Sequence, residues 1–229
     1  LFDALADVLG RRVLEIGCGT GQATLPLAKL GHAITAVELG AEMAAVARRK
    51  LAAFPQVQVV VSTFEDWPLP ELPFDSVFAA TAFNWVDPAV RMTKAADALK
   101  PGGTLAVVST DHIAGGSERL FVDVQRCYER FDPTTPPGLR LLPAAQLPQD
   151  SGEFDRSGRF GPVRFARFEW EHEYTTAEYL DLLSTYSGHR AMATDARAGL
   201  FRCIAALIDG QGGRIAKRYL TQLAWSDSK

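Results

Sequence analysis

No apolar run in this chain approaches the roughly 20 residues that a membrane-spanning helix needs, and no signal peptide is visible. Cysteine is scarce. Cys18, Cys127 and Cys203 are odd in number and far apart, which argues against a disulfide framework or a zinc site and implies a reducing, cytoplasmic compartment. An excess of either charge is lacking too: the formal net charge of −3 leaves no electrostatic footprint for nucleic acid or for an anionic membrane surface. No group of His, Asp and Glu has metal-ligand spacing, so no metal is expected. Internal repeats and low-complexity segments are missing as well. There is no initiator Met, and Leu9-Gly10-Arg11-Arg12 is abrupt for a helix-to-strand link, so residues are expected to be absent before Leu1 and at that link.

What is present begins with a core. At 229 residues and 47% hydrophobic content, the chain suits one α/β domain with an embedded cap better than two independent domains. The most informative stretch is Val13-Leu-Glu-Ile-Gly-Cys-Gly-Thr-Gly-Gln22. A short apolar run ends in glycines at alternate positions, Gly17, Gly19 and Gly21, and a helical pattern follows at once. That is a buried strand feeding a tight turn where the backbone bends sharply or admits a ligand closely. A second apolar run, Ala33 to Val37, ends in Glu38, whose carboxylate can accept two hydrogen bonds from ribose hydroxyls. Together they describe a nucleoside-binding α/β domain.

The nucleoside is narrowed by two departures from the dinucleotide fingerprint. Gly-x-Gly-x-x-Gly places its third glycine one position later than Gly21. Glu15 adds negative charge where a pyrophosphate would be repelled, and suits a ligand carrying ammonium and sulfonium charge instead. At this point the chain resembles class I S-adenosylmethionine-dependent methyltransferases of the methyltransferase type 11 and trans-aconitate methyltransferase-like group. Leu14-Glu15-Ile16-Gly17-Cys18-Gly19-Thr20-Gly21 carries the resemblance, and it extends through Phe74-Asp75 and Leu99-Lys-Pro-Gly-Gly-Thr-Leu105. It covers the first half of the chain well and the second half only in outline.

Strands are predicted at Arg12–Ile16, Ala33–Glu38, Val57–Val61, Phe74–Ala80 and Thr104–Thr110. Helices are predicted at Phe2–Leu9, Gln22–Leu30, Ala41–Phe54 and Pro88–Leu99, with a turn at Lys100–Gly103. Alternation at this pitch implies a Rossmann-like, doubly wound sheet. Ser117–Phe131 reads as an amphipathic helix, and the Pro-rich stretch after it as loop. Val163–Tyr174 and Arg214–Trp225 bring the strands to seven, with helices over about 175–186 and Asp195–Ile208 between them. The expected fold is a mostly parallel seven-stranded sheet with an antiparallel C-terminal strand and a helical and loop cap. Within one domain, residues 1–112 form the cofactor half, 113–162 the substrate cap insertion, and 163–229 the strands and helices that complete the sheet.

Ligands of such sheets bind beyond the carboxyl ends of the strands. The resemblance implies S-adenosylmethionine as cofactor and S-adenosylhomocysteine as product. Glu15, Gly17, Cys18, Gly19, Thr20 and Gly21 would hold the aminocarboxypropyl end, and Glu38 with Leu39 the ribose. Met43 would lie against the adenine. Many relatives place an Asp-Ala pair where this chain has Thr63-Phe64, so adenine would be read by the backbone of Phe64 and by Thr63 or Glu65. Ala80, Thr81 and Trp85 would lie beside the methyl group, where Phe83-Asn84-Trp85 resembles a Phe-His-Trp segment of small-molecule enzymes. His112 is the candidate catalytic base, with His189 a lesser one. The implied reaction is methyl transfer to an O, N or C nucleophile of a small molecule. A noncatalytic or scaffold use of the cofactor is the alternative, with a nicotinamide-dependent oxidoreductase behind it.

Overall fold

A computed structural model describes residues 1–229. The expected strands form one seven-stranded sheet in the order β3-β2-β1-β4-β5-β7-β6. These are β1 (Arg12–Ile16), β2 (Ala33–Glu38), β3 (Val57–Val61), β4 (Phe74–Ala80), β5 (Leu99–Ile113), β6 (Arg164–Thr175) and β7 (Arg214–Asp227). The pairs β3·β2, β2·β1, β1·β4 and β4·β5 are all parallel. β7 runs the other way: Thr104 bonds Asp227 and Thr110 bonds Thr221, so β7 descends as β5 ascends. The order turns about β1, flanked by β2 and β4, which creates the switch point. Ile16 pairs with both Val37 and Ala79, so Gly17, Glu38 and Ala80 emerge side by side at one edge.

Two compact units share this chain. The first comprises Leu1–Thr110, Gln149–Phe168 and Thr221–Lys229, and the second Asp111–Pro148 and Glu169–Leu220. The second unit thus takes in more of the later chain than the expected 113–162 insertion and leaves out its final residues.

In the first unit, alternation along the strands sends successive side chains to opposite faces. Leu14, Ile16, Val77 and Leu105 pack with Met92 and Ala95 of α4 (Arg91–Ala98). Val13, Phe78 and Ala106 pack on the other face with α1 (Phe2–Val8), α2 (Thr24–Lys29) and α3 (Ala41–Lys50). The helices are shorter than expected. α4 starts three residues after Pro88, with Pro88 to Val90 in a turn. Lys100–Gly103, expected as a turn, lies within β5 as a bulge: Phe74 pairs with Leu99, but Ser76 already pairs with Thr104. In the link before β1, Gly10 N–H donates to Ser76 Oγ and Arg12 N–H to Asp75 Oδ2. The cap segment adds a short helix, α6 (Gly152–Ser157), whose Phe154 joins the core beside α4.

In the second unit, α5 (Glu118–Phe131), α7 (Thr176–Thr185) and α9 (Thr194–Asp209) enclose Leu120, Val124, Leu183, Leu200 and Ile204, with the short α8 (Ser187–Ala191) before α9. Thr175 and Glu178 close a capping box at the start of α7. Here the cysteine expectation is corrected. Cys127 of α5 and Cys203 of α9 form a disulfide, 76 residues apart in sequence, with Cα atoms 5.9 Å apart. Only Cys18 is free, and it is buried. The ground for a reducing compartment is therefore removed. No helix is long and apolar enough to cross a membrane.

Candidate active site

The carboxyl edge of β1, β2 and β4 opens onto a cavity of about 570 Å³, a common size for a small-molecule or cofactor site. Its floor is the glycine turn. Gly17 has φ +68° and donates its N–H to Val37 O; a Cβ there would lie 2.4 Å from the Ala82 Cβ. Only glycine meets both demands. Gly19 has φ +55°, and a Cβ on it would meet no protein atom within 4 Å, so the backbone there is open to a ligand.

Glu38 stands at the tip of β2 and is nearly fully buried. Its Oε2 accepts from Gly19 N–H at 2.8 Å and its Oε1 from Gly40 N–H at 2.7 Å. One carboxylate thereby ties the glycine turn of β1 to the start of α3, while its remaining lone pairs stay available to a diol.

Glu15 lies one turn of chain behind, 1% exposed, with Oε2 unpartnered. Burial raises its pKa to about 7, opposed by the nearby Thr24 hydroxyl and with a small further rise from Glu38. The same field acts on Cys18, whose thiol is pushed up to about 12 by burial, then by Glu15 and Glu38. The turn is thus a region of concentrated negative potential. It fits a cationic ligand and opposes a pyrophosphate.

At the rim, large apolar side chains lie open to solvent: Leu39, Met43 and Trp85, the last 76% exposed. Exposed aliphatic and aromatic groups gathered on one cavity mark a surface that a ligand covers. Thr81 adds local strain: it is the sole non-glycine residue with positive φ (55°), anchored by its N–H to Val108 O, on the wall after β4. Phe64 is buried in the opposite wall. Thr63 Oγ1 accepts from Asp66 N–H at 3.0 Å and donates to Asp66 Oδ2 at 2.8 Å, so the Asp66 carboxylate is held at the cavity beside Thr63.

The cavity gathers Gly17, Gly19, Glu38, Leu39, Met43, Thr63, Phe64, Glu65, Ala80, Thr81 and Trp85 of the expected cofactor residues. Glu15, Cys18, Thr20 and Gly21 do not line it; they build the turn from behind or outside. Phe83, expected with Trp85, packs into the core under the Arg91 guanidinium instead. Gly40, Ser62, Asp66 and Ala82 line the cavity as well, at the strand tips where the carboxyl-end rule points. Ile16, Val37 and Val86 complete the lining and were not singled out by that rule.

The candidate base His112 belongs to the second unit. Its ring packs edge-on against Phe121 at 4.5 Å, and burial with the nearby Lys217 ammonium drives its pKa down to about 3. That environment disfavours the imidazolium a general base must become. His189, also in this unit, bonds Tyr128 OH through Nε2 at 2.8 Å.

Residues 14–107 match the family model described as a methyltransferase domain. Over 107 residues the chain is 41% identical to an uncharacterised methyltransferase of Mycobacterium tuberculosis, covering 47% of this chain and 43% of that one. It is 32% identical over 105 residues to a demethylmenaquinone methyltransferase of Clavibacter sepedonicus, 45% of this chain and 43% of the relative. The chain thus covers less than half the length of these curated relatives. Among solved structures, a putative type II methyltransferase from Anaeromyxobacter dehalogenans matches with TM-score 0.66 at 23% identity, over 99% of this chain and 94% of that one. The geranyl diphosphate C-methyltransferase of Streptomyces coelicolor, solved with S-adenosylhomocysteine, matches with TM-score 0.52 at 16% identity, over 100% and 78%. These two likenesses bear on the fold.

Proposed function

We propose, for a chain whose residues 14–107 match the model of a methyltransferase domain, that it binds S-adenosylmethionine in the β1–β2–β4 cavity and transfers its methyl group to an O, N or C nucleophile of a small molecule. The observation that carries this reading is the pairing of an orphaned buried carboxylate, Glu15, with a glycine turn open to a ligand at Gly19. The cofactor supplies an already activated methyl group on a sulfonium. The glycine turn would hold its ammonium end, with Glu15 behind the turn supplying a negative field rather than a direct contact. Glu38 would hold its ribose diol, and Met43 with Phe64 the adenine. Asp66, held by Thr63, would offer a carboxylate to the adenine amino group. Trp85 and Thr81 would flank the methyl and exclude water. What remains for the protein is alignment of donor and acceptor, which can lower a barrier by roughly 7–11 kcal/mol.

A small-molecule acceptor is favoured because the net charge of −3 provides no general attraction for a polyanion. The test is calorimetric titration with S-adenosylmethionine and NAD in parallel, followed by product analysis. Binding of the first alone and release of S-adenosylhomocysteine only with an acceptor present is the expected result. NAD binding alone overturns the reading. Cofactor binding with no turnover on any acceptor supports the scaffold alternative.

A further inference from the structure

Lys217, on β7 within the second unit, is 4% exposed and has no carboxylate partner. Its Nζ donates to Tyr186 OH at 3.0 Å and lies over the rings of Tyr219 at 4.9 Å and Tyr186 at 5.3 Å. Strand alternation explains why no acid reaches it. Glu169 and Glu173 of β6 pair with Arg218 and Arg214, on the opposite face of the strands from Lys217 and Tyr219. On the lysine's own face the groups are neutral. Trp170 stacks on Tyr219 at 4.3 Å, Tyr174 OH bonds Tyr219 OH at 2.8 Å, and His172 packs on Tyr174. His112 also contacts Tyr219, and its Nε2 is buried with no hydrogen-bond partner. Burial holds Tyr186 and Tyr219 well above ordinary phenol pKa values, so neither supplies a counter-charge.

An ammonium buried among neutral aromatics, with two of its three N–H groups unassigned, carries an unpaid desolvation cost. Beside it stands an imidazole nitrogen equally without a partner. Both needs are met by one ligand group: an oxygen bearing negative charge. We propose that Lys217 and His112 bind an anionic oxygen of a small molecule, a carboxylate or an ionised phenol or enol, with the Tyr186, Tyr219 and Trp170 rings receiving a planar body. This anion site lies within the second unit and does not depend on the methyl-transfer reading above.

The test uses benzoate, 4-nitrophenolate and neutral benzamide, titrated by calorimetry into the whole protein and into Lys217→Met, with S-adenosylmethionine titrated into the same samples. At least one of the two anions should bind wild type about tenfold or more tightly than benzamide, as a charge-assisted hydrogen bond in a buried site requires. Which anion binds separates carboxylate from ionised hydroxyl. Lys217→Met should lose that preference and keep cofactor binding. If Lys217→Met does not fold, His112→Gln carries the comparison, with an expected loss of about threefold or more. The inference is overturned if benzamide binds as well as both anions, or if the variant keeps the preference within about twofold. Cofactor binding without anion preference leaves methyl transfer standing and removes the anion site; anion preference without cofactor binding does the reverse.

Discussion

Glu38→Gln is the sharpest perturbation of the proposed cofactor site. In the wild type, both carboxylate oxygens accept from backbone N–H groups, Gly19 at 2.8 Å and Gly40 at 2.7 Å. The amide retains one acceptor oxygen. Its NH2 must face either Gly19 or Gly40, setting a donor against a donor. A hydrogen bond to a charged group is worth about 1.5–3 kcal/mol, so the free protein should lose roughly that much stability. In the complex, the carboxylate's bonds to the ribose diol are weakened as well. Loss of one charged bond there corresponds to roughly 10- to 150-fold in dissociation constant. Urea unfolding measures the first quantity and calorimetric titration with S-adenosylmethionine the second. A variant with native circular dichroism and a cofactor affinity within about threefold of wild type refutes the ribose assignment. Lost stability with unchanged affinity would leave Glu38 as a clasp for the glycine turn alone.

Four other changes have defined outcomes. Gly17→Ala meets the Ala82 Cβ at 2.4 Å in a positive-φ conformation, so it should cost about 2 kcal/mol or more by urea unfolding and remove cofactor binding. Glu15 has a folded pKa near 7 against 4.5, so the folded state holds the extra proton between those values and loses stability as pH rises through 7. Glu15→Gln should therefore be more stable than wild type at pH 8, by up to about 3 kcal/mol, yet bind S-adenosylmethionine more weakly; equal stability at pH 5 and pH 8 in both proteins sinks the argument. For Lys217 the sign reverses: its folded pKa of about 8 lies below 10.5, so wild-type stability recovers as pH climbs from 8 towards 10.5. Lys217→Met should exceed wild type at pH 7 by up to about 3 kcal/mol and lose that lead near pH 10.5, as read from chemical denaturation across pH. The disulfide closes a loop with a sequence separation of 76, so Cys127→Ser with Cys203→Ser should lower stability by about 4 kcal/mol on the chain-entropy account; an unchanged urea midpoint would count against that account.

The strands were legible because each is a short apolar or alternating run closed by turn residues, and both devices are local. β1, β2, β3 and β4 fall where the pattern put them. Helix ends were less legible, since Ala-rich segments such as 41–54 continue their periodicity past the last helical hydrogen bonds. The disulfide was illegible for a different reason. Cys127 and Cys203 meet only because the apolar faces of α5 and α9 pack together, and nothing near either residue encodes that contact. Lys217 is an intermediate case. Ile215, Lys217 and Tyr219 share one face of a strand by simple alternation, so Lys217 was placed inward by a pattern readable in Arg214 to Arg218. A run of basic residues nevertheless reads as a solvated strand until the burial is seen.

The two buried charges without partners carry a common argument. A fold selected only for stability has no use for either, because well-packed apolar groups of the same volume are as good or better in a core. The first unit nonetheless buries Glu15, and burial, with the field of Glu15 and Glu38 added to it, pushes the Cys18 thiol up to about 12. The second buries Lys217 among neutral rings, and burial, with the ammonium beside it, presses the His112 imidazole down to about 3. Each charge raises the free energy of the empty protein and lowers that of a complex with the opposite charge, so the cost in one state becomes affinity in the other. A dinucleotide would place its phosphates against Glu15 and increase the strain there. A sulfonium with an ammonium group relieves it. The negative turn therefore discriminates between the two nucleoside cofactors more sharply than the glycine spacing does. The Glu15→Gln variant tests this directly, because S-adenosylmethionine must lose affinity through the same substitution that stabilises the free protein.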